Sequence, residues 1–374
     1  MLSRVAECLY WMARYMERAE NLSRLLLAHQ HLRLDAGATA TSEEDFWSQL
    51  LTTTGDGGGF KATSQRVEAG SVCHYLSLLR ENPNSIRNCV RAARENARMV
   101  RDQISDDLWQ GLNDLHLQLN DLPVERLHAH DPAAFHEMVL RGSYLFQGVA
   151  TATMARTEGW HFMQIGTYLE RADKTTRLID ACSSVSLELP PHPGAQPMRW
   201  AALLHSTSAY HVFYEASPVL DPRRIIGFLL LDPHYPRSVR FCIQSVNETL
   251  HALGRMQPSR GSADPFRLAG ILRSEMEFGL LEEIMAAGLH DYIDDFQLQL
   301  NKLGTAIFEV YMHVPDILPV QHHSLGYEHV GPAPQASPAE APPASLAALT
   351  PLTPLTPLTP LVHLKPLVPL QRQQ

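Results

Sequence analysis

A chain of 374 residues with 45% hydrophobic and 19% charged residues has the composition of a soluble globular protein, long enough for one large domain or two to three smaller ones. Its formal net charge of −9 disfavours a general nucleic-acid binder, which carries a basic balance. The five scattered cysteines form no CxxC pair. With no apolar leader and no run of about eighteen apolar residues, they predict a cytoplasmic protein with reduced thiols, no disulfide framework, no bound metal or other cofactor and no membrane partner.

Along the chain the periodicity is helical. Val5, Leu9, Met12, Met16, Ala19 and Leu26 recur every three, four or seven residues, one face of a helix. At about 100° per residue, Tyr10, Arg14, Glu17, Asn21 and Arg24 gather on its other side. Residues 52–70, "TTTGDGGGFKATSQRVEAG", are rich in Gly and Thr and predict a mobile loop. A helix is expected over 83–105, with Pro83 at its start, where a missing N–H costs little. Its apolar side is Ile86, Val90, Ala93, Ala97, Val100 and Ile104. Helical patterns also cover 131–155 and 264–314. Around 162–179 a stripe of Phe162, Ile165, Leu169, Ala172 and Ile179 leaves Glu170, Lys174 and Arg177 on other faces. "LELPPHPGAQP" at 187–197 is a Pro-rich break, and "RIIGFLLLDP" reads as buried helix as readily as strand. From about residue 316, repeated Thr-Pro-Leu removes backbone donors and fixes extended φ, which predicts a disordered or polyproline-like tail.

"YMERAENLSRLL" at 15–26 returns as "YLERADKTTRLI" at 168–179. Adding 153 carries Tyr15, Glu17, Arg18, Ala19 and Arg24 onto Tyr168, Glu170, Arg171, Ala172 and Arg177. The same ungapped shift carries Trp47 onto Trp200, Leu50 and Leu51 onto Leu203 and Leu204, and Pro83, Ser85, Arg87 and Cys89 onto Pro236, Ser238, Arg240 and Cys242. Glu95 falls on Glu248. A register held this far predicts a tandem duplication whose period is too long for a solenoid unit. The expected fold is all-α: a large helical bundle of two duplicated halves, 1–155 and 156–315, packed as one globule, followed by the tail 316–374.

Three segments, "MLSRVAECLYWMARYMERAENLSRLL", "ARENARMVRDQIS" and "RTEGWHFMQIGTYLERADKTTRLID", resemble the alpha-E domain family, and the resemblance runs from residue 1 to about 315. It implies a wholly helical bacterial protein associated with a circularly permuted ATP-grasp protein and a transglutaminase-like cysteine protease. A role in peptide ligation, modification or processing follows from that association, without a reaction assigned to this chain. The Pro-rich tail lies outside the family pattern.

Arg87, Arg91, Arg94, Arg98 and Arg101 step by four, three, four and three, which places five guanidinium groups along one helix face. Under the 153 shift Arg87 keeps an arginine partner, while Arg91, Arg94, Arg98 and Arg101 meet Gln244, Asn247, His251 and Gly254. The four extra arginines are therefore not needed to build the subdomain. Three readings stay open: a solvated face with acidic neighbours, a docking surface for an acidic protein or peptide, and an anion-binding pocket using bidentate guanidinium forks. The face itself carries no interleaved aromatics of the kind that stack bases. Arg87/Arg240 and Glu95/Glu248 persist in both halves, which favours a structural salt bridge or cap.

Glu17–Arg18 and Glu170–Arg171, flanked by Arg24 and Arg177, suit a buried charge network that pairs across the two halves; opened to solvent, the same acids would suit general acid–base work. "EGWH" (Glu158, His161) and "ERLH" (Glu125, His128) match the Glu-x-x-His element of di-iron bundles, but the shift ties neither Glu to a second acid. "HSTSAYHVFYE" holds serines and histidines without a nucleophile elbow, and "GDGGGF" lacks the Lys-Ser/Thr of a P-loop. The leading expectation is an accessory or interaction subunit contacting its partner through the arginine stripe. The alternative is an enzyme of the same pathway, with Glu17, Arg94, Glu158 and Glu170 around an anionic peptide group.

Overall fold

In the computed structural model, which describes residues 1–36, 42–121, 132–188, 195–254 and 264–312, the chain is all-α, with no strand among the described residues. The first seven helices are α1 (Ser3–Ala36), α2 (Glu43–Thr54), α3 (Gly57–Ala62), α4 (Ala69–Ser77), α5 (Ile86–Met99), α6 (Asp106–Asp121) and α7 (Pro132–Thr153). They are followed by α8 (Glu158–Glu188), α9 (Ala195–Ser206), α10 (Tyr210–Ala216), α11 (Pro222–Leu231), α12 (Val239–Leu253), α13 (Pro265–Phe278), α14 (Leu281–Ala287) and α15 (Leu289–Ile307). A π-helical turn, Phe308–Met312, closes the described part.

Local sequence sets these boundaries. Ser85 and Ser238 accept the backbone N–H of Asn88 and Phe241 and so start α5 and α12. Asp221–Pro222 and Asp264–Pro265 supply a capping carboxylate and a first-turn proline to α11 and α13. Gly55, after α2, and Ser208, after α9, both adopt positive φ, 78° and 56°; such values suit glycine and are uncommon for serine. Ser85 and Ser238, like Gly55 and Ser208, are 153 apart. The first seven helices, shifted by 153, land on or overlap α8 to α13 and α15.

Packing follows the same plan twice. In the first part α1 packs on α5 and α7, with α6 bridging α5 and α7; in the second, α8 packs on α12 and α15, with α13 between them. The apolar side expected for the helix after Pro83 is buried along its whole length, Ile86, Val90, Ala93, Ala97, Val100 and Ile104 all being at most 8% exposed. Removing each such Ile or Val side chain from water contributes roughly 1.5–3 kcal/mol. The described residues form one compact unit.

The axis of the molecule is the α1–α8 crossing. The two helices approach closely at Gly166, where a Cβ would stand 2.4 Å from the Tyr10 carbonyl oxygen. α1 is not a surface helix with a wet polar face: Glu17, Glu20, Asn21 and Arg24, opposite its apolar stripe, are all buried, as are Glu170, Arg171, Asp173 and Arg177 of α8.

Several expectations need correction. Residues 52–70 are not one loop, because α3 fills Gly57–Ala62 and α4 begins at Ala69. Phe60 accounts for this: it is buried with its ring edge-on to Tyr75, 5.2 Å between centroids, and a buried aromatic outweighs the poor helix propensity of three glycines. The helix over 83–105 is shorter, since Ser85 rather than Pro83 caps it and Val100 ends it. The pattern over 264–314 is three helices separated near Gly279 and Gly288. "RIIGFLLLDP" is helical, in α11. Glu125 and His128, the break at 189–194 and the tail 316–374 lie outside the described residues. No helix among the described residues is long and apolar enough to cross a membrane, and all five cysteines are free thiols.

Candidate functional site

Where α1 crosses α8, each Glu-Arg dipeptide gives its acid to the arginine of the other. Glu17 accepts from Arg171 Nε at 2.9 Å and Nη2 at 2.8 Å. Reciprocally, Glu170 accepts from Arg18 Nε at 2.7 Å and Nη2 at 3.1 Å. These are bidentate forks, the strongest neutral-pH geometry an arginine and a carboxylate adopt. Each acid has further cations. Arg237 Nη1 reaches Glu17 at 2.9 Å, and Arg14 Nε reaches Glu170 at 2.8 Å.

Around this centre the two sides diverge. On the Glu17 side, Glu20 binds Arg24 and Arg237 and accepts from two α7 side chains, Ser143 at 2.5 Å and Gln147 at 2.7 Å. Arg24 also reaches Ser208 and the Tyr144 hydroxyl. On the Glu170 side, Asp173 replaces Glu20 and pairs with Arg177 at 3.0 Å and Lys174 at 3.2 Å. Position 84 holds Asn where the other side has Arg237. Asn84 accepts from Arg18 and donates to Asp56.

Burial alone would raise these carboxyls, yet the facing guanidinium groups win. Arg171 and Arg237 hold Glu17 at about 2. Arg177 and Lys174 do the same for Asp173, also at about 2, and Arg18 and Arg14 keep Glu170 well below the usual carboxylate range. Acids held so low give stability that is complete above their unfolded values of about 4 and is lost as pH falls toward 2. His136 adds an earlier step. Burial pushes it down to about 3, so the unfolded chain takes up that proton first, and its contribution is lost from about pH 6.5 downward. Asp56 and Asp180, pushed up by burial, act in the opposite sense. The thermal midpoint, followed from pH 7 to pH 2.5, is expected to fall in two stages, and His136→Leu should shrink only the first. His116, His161 and His205, also pushed down by burial, contribute the rest of that stage.

Beside Glu170 the surface opens into a cleft between α1, α8 and the end of α2, walled by Arg18, Lys174, Arg177, Asp56 and Asn84. It offers about 40 Å³, room for roughly three waters or a small anionic head group. Leu25, Thr53 and Leu178 form a wall shared with a second cavity of about 80 Å³, bounded by Leu32, Leu50, Leu203 and Arg199. Position 209, which the shift pairs with Asp56, is alanine.

The arginine stripe is resolved into separate contacts. Arg101 lies beyond α5, which ends at Met99, and pairs with Asp106. Arg94 and Arg98 share Glu95, at 2.5 and 2.9 Å, and hold its carboxyl low against partial burial. Arg91 donates to Asn88. The aromatic missing from α5 comes from its neighbour: Trp109 of α6 lies under both Arg94 and Arg101, at 5.3 and 5.6 Å. Arg87 and Arg240 donate to the backbone carbonyls of Leu119 and Leu231, near the C-termini of α6 and α11, and Glu248 accepts from Gln244. These contacts fit caps better than a salt bridge between the retained pairs.

Glu17, Arg94, Glu158 and Glu170 do not converge. Glu158 is twelve residues from Glu170 on the same helix, about 18 Å, where it is exposed and pairs with the Met1 amino group at 2.6 Å. Among the described residues no group of three or more His, Cys, Asp or Glu side chains is placed to hold a metal. Sequence reasoning missed Arg237, Asn84, Asp56, Ser143 and Gln147. Arg237 carried one usable signal, its place just before the Ser238 cap. The 153 shift masked it, because it aligns an arginine with an asparagine.

Comparison with known proteins agrees with this geometry. Residues 1–312 match a family described as a predicted alpha-helical domain with a conserved ER motif, and Glu17–Arg18 and Glu170–Arg171 are both Glu-Arg pairs. Similar proteins include uncharacterised proteins of Mycobacterium bovis and Mycobacterium tuberculosis, 28% identical over 342 residues. The match covers 84% of this chain and 36% of those relatives, so the chain spans about a third of their length. No solved structure matches. The chain belongs to the alpha-E family.

Proposed function

We propose that this protein is a non-catalytic accessory subunit of a cytoplasmic, bacterial ATP-grasp-linked system for peptide ligation, modification or processing. The carrying observation is the state of the paired acids. Glu17 and Glu170 are at most 1% exposed, each is held by guanidinium groups from the opposite half, and each is ionised far below neutral pH. A general acid or base titrates near the working pH and reaches substrate; these two do neither. They are a frame. The greater length of the mycobacterial relatives supports the same reading, since there an alpha-E segment is one part of a larger chain. The paired boundaries of the two halves favour an origin by tandem duplication.

The partners implied are the ATP-grasp protein and the transglutaminase-like protease, and the contact we assign is the exposed part of the arginine face, Arg91 and Arg98, beside the Trp109-backed Arg94. An acidic surface fits it. The test is affinity capture from native extract, comparing wild type with Arg91→Glu/Arg98→Glu and identifying captured proteins by mass. Capture of an ATP-grasp protein or transglutaminase-like protease by wild type, with a loss of about tenfold or more in the variant (~1.4 kcal/mol), is the expected result. Capture of neither, with both proteins folded, overturns it.

A further inference from the structure

The cleft beside Glu170 is unlike its counterpart in the other half, and the difference points to a ligand. In the Glu17 half, Arg237 spans Glu17, Glu20 and Asn21, while Arg24 is drawn under Tyr144 and Ser208. In the Glu170 half, Asn84 is too short to do this, and the space remains as a cleft. Its charges do not cancel. Arg18, Lys174 and Arg177 line it with one carboxylate, Asp56. With the ion-pair partners behind them, Glu170, Asp173 and Arg14, the network holds four cations against three carboxylates. A partly buried site with one positive charge in excess favours a monoanion. A second negative charge on the ligand would meet Asp56.

The adjoining cavity gives the rest of the shape. Past the shared wall of Leu25, Thr53 and Leu178, its lining is mixed, Leu50, Ala202 and Leu203 with His29, Gln49, Arg199 and Ser206. Ligand sites commonly combine an apolar lining with a few convergent polar groups. Thr53 Oγ1 donates to the Gln49 carbonyl at 2.8 Å, which leaves the hydroxyl oxygen on that wall to accept from a ligand N–H. A peptide end has such an N–H, and a fatty acid has none.

We propose that this cleft binds the C-terminal residue of a peptide, its carboxylate between Arg18, Lys174 and Arg177 and its apolar side chain in the cavity bounded by Leu50 and Leu203. The assignment does not depend on which protein docks at the arginine face.

The test is calorimetric titration of the full chain with N-acetyl-Ala-Ala-Leu, the same tripeptide as its C-terminal amide, and octanoate. Wild type is compared with Lys174→Met, which removes a cation, and Ala202→Phe, which fills the adjoining cavity; circular dichroism checks that each is folded. Saturable binding of the free acid is expected, weakened by about tenfold or more (~1.4 kcal/mol) by amidation and by each substitution. Equal binding of acid and amide overturns the proposal, as does an affinity unchanged in both variants or the absence of binding to wild type. Binding of octanoate without the tripeptide overturns the peptide assignment and makes a fatty acid the occupant.

Discussion

Glu17→Ala is expected to cost on the order of 3–5 kcal/mol, the range found when one partner of a buried ion pair is removed. Arg171 and Arg237 would be left facing each other, both less than one-tenth exposed, with Glu20 the nearest remaining acid for Arg237. Domains are typically stable by about 5–15 kcal/mol, so this single change consumes a large share of the total. Urea denaturation measures it. The penalty belongs to the orphaned charges rather than to the loss of a strong bond, which yields a second expectation. Glu17→Leu combined with Arg171→Met, which removes acid and base together, should be less destabilised than Glu17→Ala. If the double variant loses at least as much as the two single changes summed, the pair is not coupled as the geometry requires.

Gly166→Ala is expected to destabilise by roughly 1–3 kcal/mol, the usual cost of forcing extra volume into a packed core. At most helical positions the sign is opposite, since alanine is favoured over glycine by about 1 kcal/mol. At Gly166 the new methyl would meet the Tyr10 carbonyl oxygen at 2.4 Å, and a backbone atom cannot turn aside as a side chain can. α1 and α8 would have to separate, stretching the forks between Glu17, Arg171, Arg18 and Glu170. Gly148 in α7 is the control. A methyl there meets nothing within 4 Å, so Gly148→Ala should stabilise by about 0.5–1 kcal/mol. Opposite signs from the same chemical change would isolate helix approach as the cause.

Much of this architecture was written in periodicity. The apolar stripes of α1, α5 and α8 and the 153-residue register were legible, because helix faces depend on neighbours in sequence. The Ser85 cap was not, since Pro83 looked the better helix start. The reciprocal pairing of Glu17 with Arg171 and Glu170 with Arg18 was open as one of two readings, because whether these acids meet each other's arginines or solvent is a property of packing. α3 was illegible because its glycines argue against a helix, and only the distant Tyr75 ring explains Phe60. The arginine stripe misled in the other direction. Its spacing was regular, but Glu95, Asp106 and Trp109 take up three of the five arginines, and the last two of these partners come from another helix. Asp56 and Asn84 line the cleft together with Lys174 and Arg177 of α8, about ninety or more residues away, so no window along the chain could join them.

The central charges also set the order in which the molecule can be made. Glu17 and Arg237 are 220 residues apart, so at about 5–20 residues per second the acid leaves the ribosome roughly 10–45 s before its second cation exists. During that interval the first half has its apolar helices but lacks within itself the two cations, Arg171 and Arg237, that hold Glu17 on the polar side of α1. Native burial of that side is therefore a late event in synthesis. A nascent chain stalled before residue 237 should keep Glu17 hydrated and remain accessible to protease, long after α5 and α6 have emerged.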